Sequence, residues 1–183
     1  MIAAIVLAAG ASTRLGEPKQ LIVIGGETLL ERAVRTAREA VCAPVVVVLG
    51  ADAEWIRERC DLGDGLVIVN LDWEEGMASS IRIGVAAVHG ADGVVLMTCD
   101  QPAVTAGHLR KLTATGEITA SAYAGRRGVP AYFPAAAFPA LMRLTGDAGA
   151  RELLRDAATV DLAGGELDVD TAVDLDEAKR RFR

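Results

Sequence analysis

Apolar positions along the chain fall into two alternating patterns. Unbroken apolar runs at Ile2–Leu7, Val45–Leu49, Leu66–Val69 and Gly93–Met97 read as strands covered on both faces, because a strand with one wet face would alternate. Between them, apolar residues recur at helical spacing. Leu29, Leu30, Ala33, Val34 and Ala37 do so within Thr28–Ala40, and shorter patterns cover Ala53–Cys60 and Ser79–His89. Strand and helix in repetition predict a parallel sheet with helices on both faces. The expected fold class is α/β, a Rossmann-like three-layer α/β/α arrangement around a mostly parallel central sheet.

Past Asp100 the pattern loosens. Helices are expected over Ala106–Leu112, Ala135–Leu144, Gly149–Arg155 and Val173–Arg183, with a strand pair Ala120–Ala124 and Val129–Phe133 about the turn 125–128. Thr159–Leu162 reads as a late strand. No repeat, low-complexity stretch or linker interrupts the chain, so residues 1–183 are expected to form one domain. In parallel sheets ligands bind beyond the carboxyl ends of the strands. The segments that follow Leu7, Val69 and Met97 are therefore expected to meet on one rim.

The first of these segments, LAAGASTRLGEPK (Leu7–Lys19), combines small residues, hydroxyls and two cations. Loops that hold phosphates present backbone N–H groups, which requires small side chains and permissive backbone angles. Leu7, Ala8, Ala9, Gly10 and Ala11 supply that backbone and Ser12 a hydroxyl, while Arg14 and Lys19 are cations suited to a polyphosphate. Neither common nucleotide loop fits. Glu17 follows Gly16 where the Walker pattern needs Lys, and Ser12 stands where the dinucleotide fingerprint needs its second Gly. On local chemistry alone, a plain strand–turn–helix connection with incidental charges stays open.

Charge and cysteine usage narrow the partners. The net charge of −6, with Lys and Arg dispersed, argues against a nucleic-acid groove. Cys42, Cys60 and Cys99 are odd in number and have no CxxC spacing, which disfavours a disulfide framework and fits a reducing cytoplasm. The start lacks a basic leader, and no apolar run approaches the ~20 residues of a membrane span. A cytoplasmic protein without membrane contact is the expectation.

Five further segments accompany the loop: EGMASSIRIG (Glu75–Gly84), DQP (Asp100–Pro102), GRRGVP (Gly125–Pro130), GDAGAR (Gly146–Arg151) and DVDTAVDL (Asp168–Leu175). In this order, behind LAAGASTRLGEPKQL, they resemble the MobA-like nucleotidyltransferases, most of all the molybdenum cofactor cytidylyltransferase branch. The resemblance spans essentially the whole chain. It implies a nucleotide-diphospho-sugar transferase-like fold and transfer of a nucleoside monophosphate, CMP from CTP, to a phosphorylated acceptor. That acceptor would be molybdopterin carrying molybdenum, and the resemblance implies a contact with a molybdoenzyme or cofactor-delivery protein. Ala9 stands where guanylyl-transferring relatives carry Gly, which favours CTP over GTP. Other phosphorylated acceptors, and a non-catalytic binding relative, stay open.

Residue roles follow from the same resemblance. Arg14, Lys19 and Asp100 are expected in catalysis, with Mg²⁺ on Asp100 and a second carboxylate from DVDT, Asp170 in preference to Asp168. Gly76, Ser79 and Ser80 are expected beside the nucleobase, with one Ser alternatively a helix cap. Arg82, Gln101, Arg127, Gly128 and Arg151 are assigned to the acceptor, and Arg126 belongs to the same acceptor-side loop. Asp100, Asp168 and Asp170 each have a competing reading as caps or turn residues, Arg82 as a solvated surface residue, and Asp147 is given no role. His89 and His108 have no partner in the sequence that would make them catalytic.

Overall fold

In the computed structural model, which describes residues 1–182, the four apolar runs form the parallel half of a single sheet. Strands β1 (Ile2–Ala8), β4 (Val45–Leu49), β5 (Leu66–Val69) and β6 (Gly93–Thr98) pair in the order β5–β4–β1–β6, all parallel. Every residue of β4 is buried, as its unbroken valines require. Beyond β6 lie β8 (Arg126–Pro134), antiparallel to it, then β7 (Thr119–Tyr123) and β9 (Ala158–Asp161). Six of the seven strands therefore share one direction. The expectation of a mostly parallel three-layer α/β/α fold is met.

Helices α1 (Leu29–Glu39), α2 (Ala53–Arg59) and α4 (Ala106–Thr113) pack on one face, through Leu30, Val34, Ile56, Leu109 and Leu112. Helices α3 (Met77–Ala87) and α5 (Phe138–Leu141) cover the other through Ile81, Val85, Phe138 and Leu141. Residues of β1 alternate between the two cores, Ala4 and Val6 facing one and Ala3 and Ile5 the other. Helix α1 starts on a capping box, Thr28 Oγ1 accepting from Glu31 N while Glu31 accepts from Thr28 N.

A third, smaller core determines where the chain end lies. A short ribbon, β2 (Val23–Ile24) with β3 (Glu27–Thr28), was not foreseen from the sequence. Its Ile24 packs with Leu29, Val169 and Ala178, the last from the terminal helix α6 (Ala172–Arg181). That cluster draws the DVDT segment back onto the rim of β1 and β6. Two expected helices are cut short. Pro139 supplies no N–H inside Ala135–Leu144, leaving a 3₁₀ turn at Ala135–Ala137 and a four-residue α5. Gly146 and Gly149 both take positive φ, and Gly149–Arg155 becomes a 3₁₀ turn over Arg151–Leu154. Among the described residues no helix is long and apolar enough to cross a membrane.

Candidate active site

The chain order β1, β4, β5 runs outward on one side of β1, and β6 then lies on the other side. The switch point between β1 and β6 is where a ligand crevice opens in such a sheet. A cleft of about 450 Å³ lies there, lined by Leu7 to Gly10, Lys19, Gln20, residues 73–77, Ser80, Thr98 to Asp100 and Asp147. That volume suits a small ligand of nucleoside size. A smaller depression beside it is lined by Gly10, Ser12, Thr13, Arg14, Lys19 and Asp170.

The loop after β1 turns its backbone outward. Its carbonyl oxygens are engaged: Ala8 O and Gly10 O accept from Gln20 Nε2 at 2.7 and 3.2 Å, and Ala9 O accepts from Ala51 N at 3.0 Å. None of the backbone N–H groups of residues 9 to 14 donates to a protein acceptor among the described residues. Ser12, at φ 52°, turns the chain and receives Lys19 N on its Oγ at 3.1 Å. A run of free amides next to two cations is suited to an anion.

Lys19 is the electrostatic hinge. Its Nζ lies 2.6 Å from Asp100 Oδ2 and 2.6 Å from Asp170 Oδ1, and Arg14 reaches Asp170 Oδ2 at 3.4 Å. Burial works against the Lys19 charge, but the Asp100 carboxylate and the bonds to both aspartates outweigh it and hold the ammonium well above the usual lysine range. Asp100 reaches this point from the end of β6, and Asp170 because Val169 is fully buried and donates its amide to Asp100 O at 2.9 Å. The cap of α6 is instead Thr171, boxed with Asp174. Neither Asp168 nor Asp170 is a cap, and the cap at α4 is Thr105, not Asp100.

Two carboxylates aimed at one point suit a hard divalent cation. Asp100 Oδ1 is also buried without a hydrogen-bond partner. Among the described residues no group of three or more His, Cys, Asp or Glu is clustered to hold a metal, so a metal here would complete its shell with substrate oxygens and water, as Mg²⁺ ordinarily does. The donor set fits. Asp168 faces the other way, 3.7 Å from Arg126. Burial pushes its carboxyl up to about 6, the Asp100 charge adds to that, and Gln101 and Arg126 oppose it.

On the α3 side of the cleft the expected serines take different parts. Ser79 is tied inward, donating to Asp72 O and Gly76 O, while Asn70 Nδ2 donates to both Ser79 Oγ at 2.8 Å and Ser80 Oγ at 3.0 Å. Ser80 lines the cleft, and its own hydroxyl hydrogen has no protein acceptor among the described residues. Neither serine caps α3. That role falls to Asp147, whose Oδ1 accepts from Met77 N at 3.3 Å, with Gly146 O accepting from Ala78 N. Gly76, at φ 109°, is needed for this closure, since a Cβ there would lie 2.7 Å from the Gly146 carbonyl.

Most of the residues expected at the acceptor are occupied elsewhere. Arg82 donates to Leu144 O at 2.7 Å and pairs with Glu75 at 3.1 Å. Arg127 donates to Ala157 O at 3.1 Å. Gly128 leaves the space filled by the Tyr123 hydroxyl. Gln101 is buried, bonded to Tyr123 Oη at 3.2 Å and Gly165 O at 3.4 Å. Arg151 is exposed and lines neither cavity. Arg126 also lines neither cavity, but it sits at the strand-end rim, 5.1 Å from the Tyr123 ring centroid and paired with Asp168. The alternation of β8 selects Arg126 over Arg127, because neighbouring strand residues face opposite sides. Gln20, Asn70, Trp73 and Tyr123 also belong to this rim and were not singled out from the sequence. Gln20, inside the loop motif, was the one with a signal.

Comparison with known proteins agrees with this fold. The family model for the MobA-like NTP transferase domain matches residues 4–162. The chain is 37% identical to a protein named nicotine blue oxidoreductase from Paenarthrobacter nicotinovorans, over 100% of this chain and 95% of that protein. It is 33% identical to the Opitutus terrae protein named "probable molybdenum cofactor guanylyltransferase", over 63% of this chain and 57% of that one. Among solved structures, Rv0371C of Mycobacterium tuberculosis H37Rv in complex with manganese superposes with a TM-score of 0.82 at 34% identity, covering 98% of both chains.

Proposed function

We propose that this chain, which belongs to the MobA-like NTP transferase domain family, transfers CMP from CTP to a phosphorylated acceptor, molybdopterin carrying molybdenum, and releases pyrophosphate. The observation that carries this reading is the convergence on one rim of the free loop amides, Arg14, Lys19, Asp100 and Asp170. The acceptor phosphate oxygen forms a bond to the α-phosphorus as the bond from that phosphorus to the β-bridging oxygen breaks, and pyrophosphate carries the electron pair away. No protein nucleophile takes part. The loop amides and the two cations orient the triphosphate and offset the charge that moves onto the leaving group.

Asp100 and Asp170 would hold Mg²⁺, which when bound would supply charge neutralisation at the phosphates. The manganese complex of Rv0371C supports a divalent ion in this fold. The Ala9 methyl, on the wall of the cleft, narrows the base pocket relative to a glycine and favours cytosine. On the acceptor side Arg126 replaces Arg127 as the cation that meets the incoming phosphate, with Asp168 beside it.

A relative bears the name of an oxidoreductase, so a nicotinamide cofactor is the rival ligand. Ser12 in place of the second fingerprint glycine argues against it. A thermal-shift panel of CTP, GTP, UTP, ATP and NADPH, each with Mg²⁺, separates the readings, because a bound ligand raises apparent stability. CTP should give the largest shift. A larger shift with NADPH, or none with any nucleotide, would overturn the proposal.

A further inference from the structure

We infer that Gln20 is the positioning residue of the triphosphate loop, the group that holds its amides outward. The inference rests on the nucleotide reading above and adds a residue to which that reading gives no part. Gln20 is 1% exposed, and its carboxamide nitrogen donates to Ala8 O at 2.7 Å and Gly10 O at 3.2 Å. In a trans peptide the carbonyl and the following N–H point in opposite directions. Drawing Ala8 O and Gly10 O inward therefore turns the amides of Ala9 and Ala11 away from Gln20, and both are without a protein acceptor among the described residues.

Two carbonyls separated by one residue lie well apart on an extended strand, on the order of 7 Å, the rise of two residues. A single nitrogen cannot reach both unless the chain curls. Gln20 is thus the clamp that keeps the segment after β1 from continuing as strand and makes it a cradle. Gln20 Oε1 is buried with no donor among the described residues. Both bonds the side chain makes go through its nitrogen, and both are spent on the loop. Gln20 also follows Lys19 in the 3₁₀ turn Lys19–Leu21, so the residue that shapes the cradle and the cation that faces it are set by one turn.

The test is titration calorimetry of wild type, Gln20→Met and Gln20→Asn with Mg·CTP and with inorganic tripolyphosphate, alongside steady-state kinetics. Gln20→Met should weaken both ligands at least tenfold. The KM for CTP should rise by a similar factor and the acceptor KM stay within about twofold, while kcat at saturating CTP should fall as well, because the same amides offset charge on the leaving group. Gln20→Asn, with the same donors on a shorter arm, should fall between. A fold that was merely damaged would lower kcat through the active fraction and leave KM alone. If Gln20→Met does not fold, Gln20→Asn decides by the same ratios. Unchanged affinity for both ligands in the folded variants would overturn the role of Gln20. Failure of wild type to bind either ligand would instead overturn the nucleotide reading.

Discussion

The two sides of the cleft were written into the chain differently. On the nucleotide side, the free amides, Arg14 and Lys19 belong to one segment of thirteen residues, Leu7–Lys19, and Asp100, Asp170 and the stretch 76–80 come from afar. On the acceptor side, candidate cations are scattered over α3, β8 and the 146–151 turn, and three of the five expected contacts bond to main-chain carbonyls or neighbouring side chains. Arg82 holds Leu144 O, Arg127 holds Ala157 O, and Gln101 holds Tyr123 and Gly165. A loop motif carries its own geometry. A lone arginine acquires its role from whichever carbonyl lies within reach.

The strongest break of this comparison is at Lys19. Lys19→Met leaves Asp100 and Asp170 facing each other without their ammonium, and losing one member of a largely buried charge cluster costs about 2–4 kcal/mol. Activity should fall by at least 100-fold. Mg²⁺ alone should raise the melting temperature of this variant more than that of wild type, because the ion replaces the missing cation between the carboxylates. Equal shifts in both proteins would argue that the two aspartates do not share a cation.

Next in size is the acceptor side's response to acid. His108 Nε2 lies 2.7 Å from Ser121 Oγ, which itself donates to Pro130 O, so Nε2 must carry the hydrogen. Burial, with Lys111 nearby, pushes His108 down to about 4. The unfolded chain binds this proton near the ordinary ~6.5 and the folded chain does not until pH 4, so stability is full above 6.5 and declines as pH falls. The loss between pH 7 and 4 should be roughly 2–3 kcal/mol. Denaturant midpoints of wild type against His108→Gln over that range check it. Because His108 braces β7 and β8, hydrogen exchange at low pH should rise there before it rises in β1.

How much was legible divides along the same line. The parallel strands were readable because unbroken valine and isoleucine runs have one stable home, between two layers of helices. The loop was readable from its small residues, and Asp170 from the motif behind it. Arg126 and Arg127 were both read as the acceptor-side loop, and the choice between them was hidden by a matter of register, since two adjacent arginines on β8 look alike until the strand's facing is known. Asp147 was hidden because its partner, the Met77 amide, lies 70 residues away in sequence. The helix over Gly149–Arg155 was expected from apolar spacing that ignored what a positive φ at Gly149 does to a first turn.

Arg126 and Arg127 sharpen the comparison with a smaller effect. Arg126→Gln should raise the acceptor KM about tenfold and leave the CTP KM unchanged. Arg127→Gln should leave both KM values alone and lower stability by about 1 kcal/mol, the worth of one hydrogen bond to a carbonyl. The reverse result would restore Arg127 to the acceptor. The smallest effect belongs to Arg151, whose exposed side chain makes no hydrogen bond or ion pair among the described residues, so Arg151→Ala should change stability by less than about 0.5 kcal/mol and neither KM.

The most direct test of the central claim is pyrophosphate release from CTP and Mg²⁺ with molybdopterin cofactor as acceptor, in wild type and in Asp100→Ala. The account predicts acceptor-dependent release by wild type and at least a 1,000-fold loss in a variant whose circular dichroism is unchanged, as expected when a group that stabilises the transferring phosphate is removed. Full activity in Asp100→Ala would contradict it.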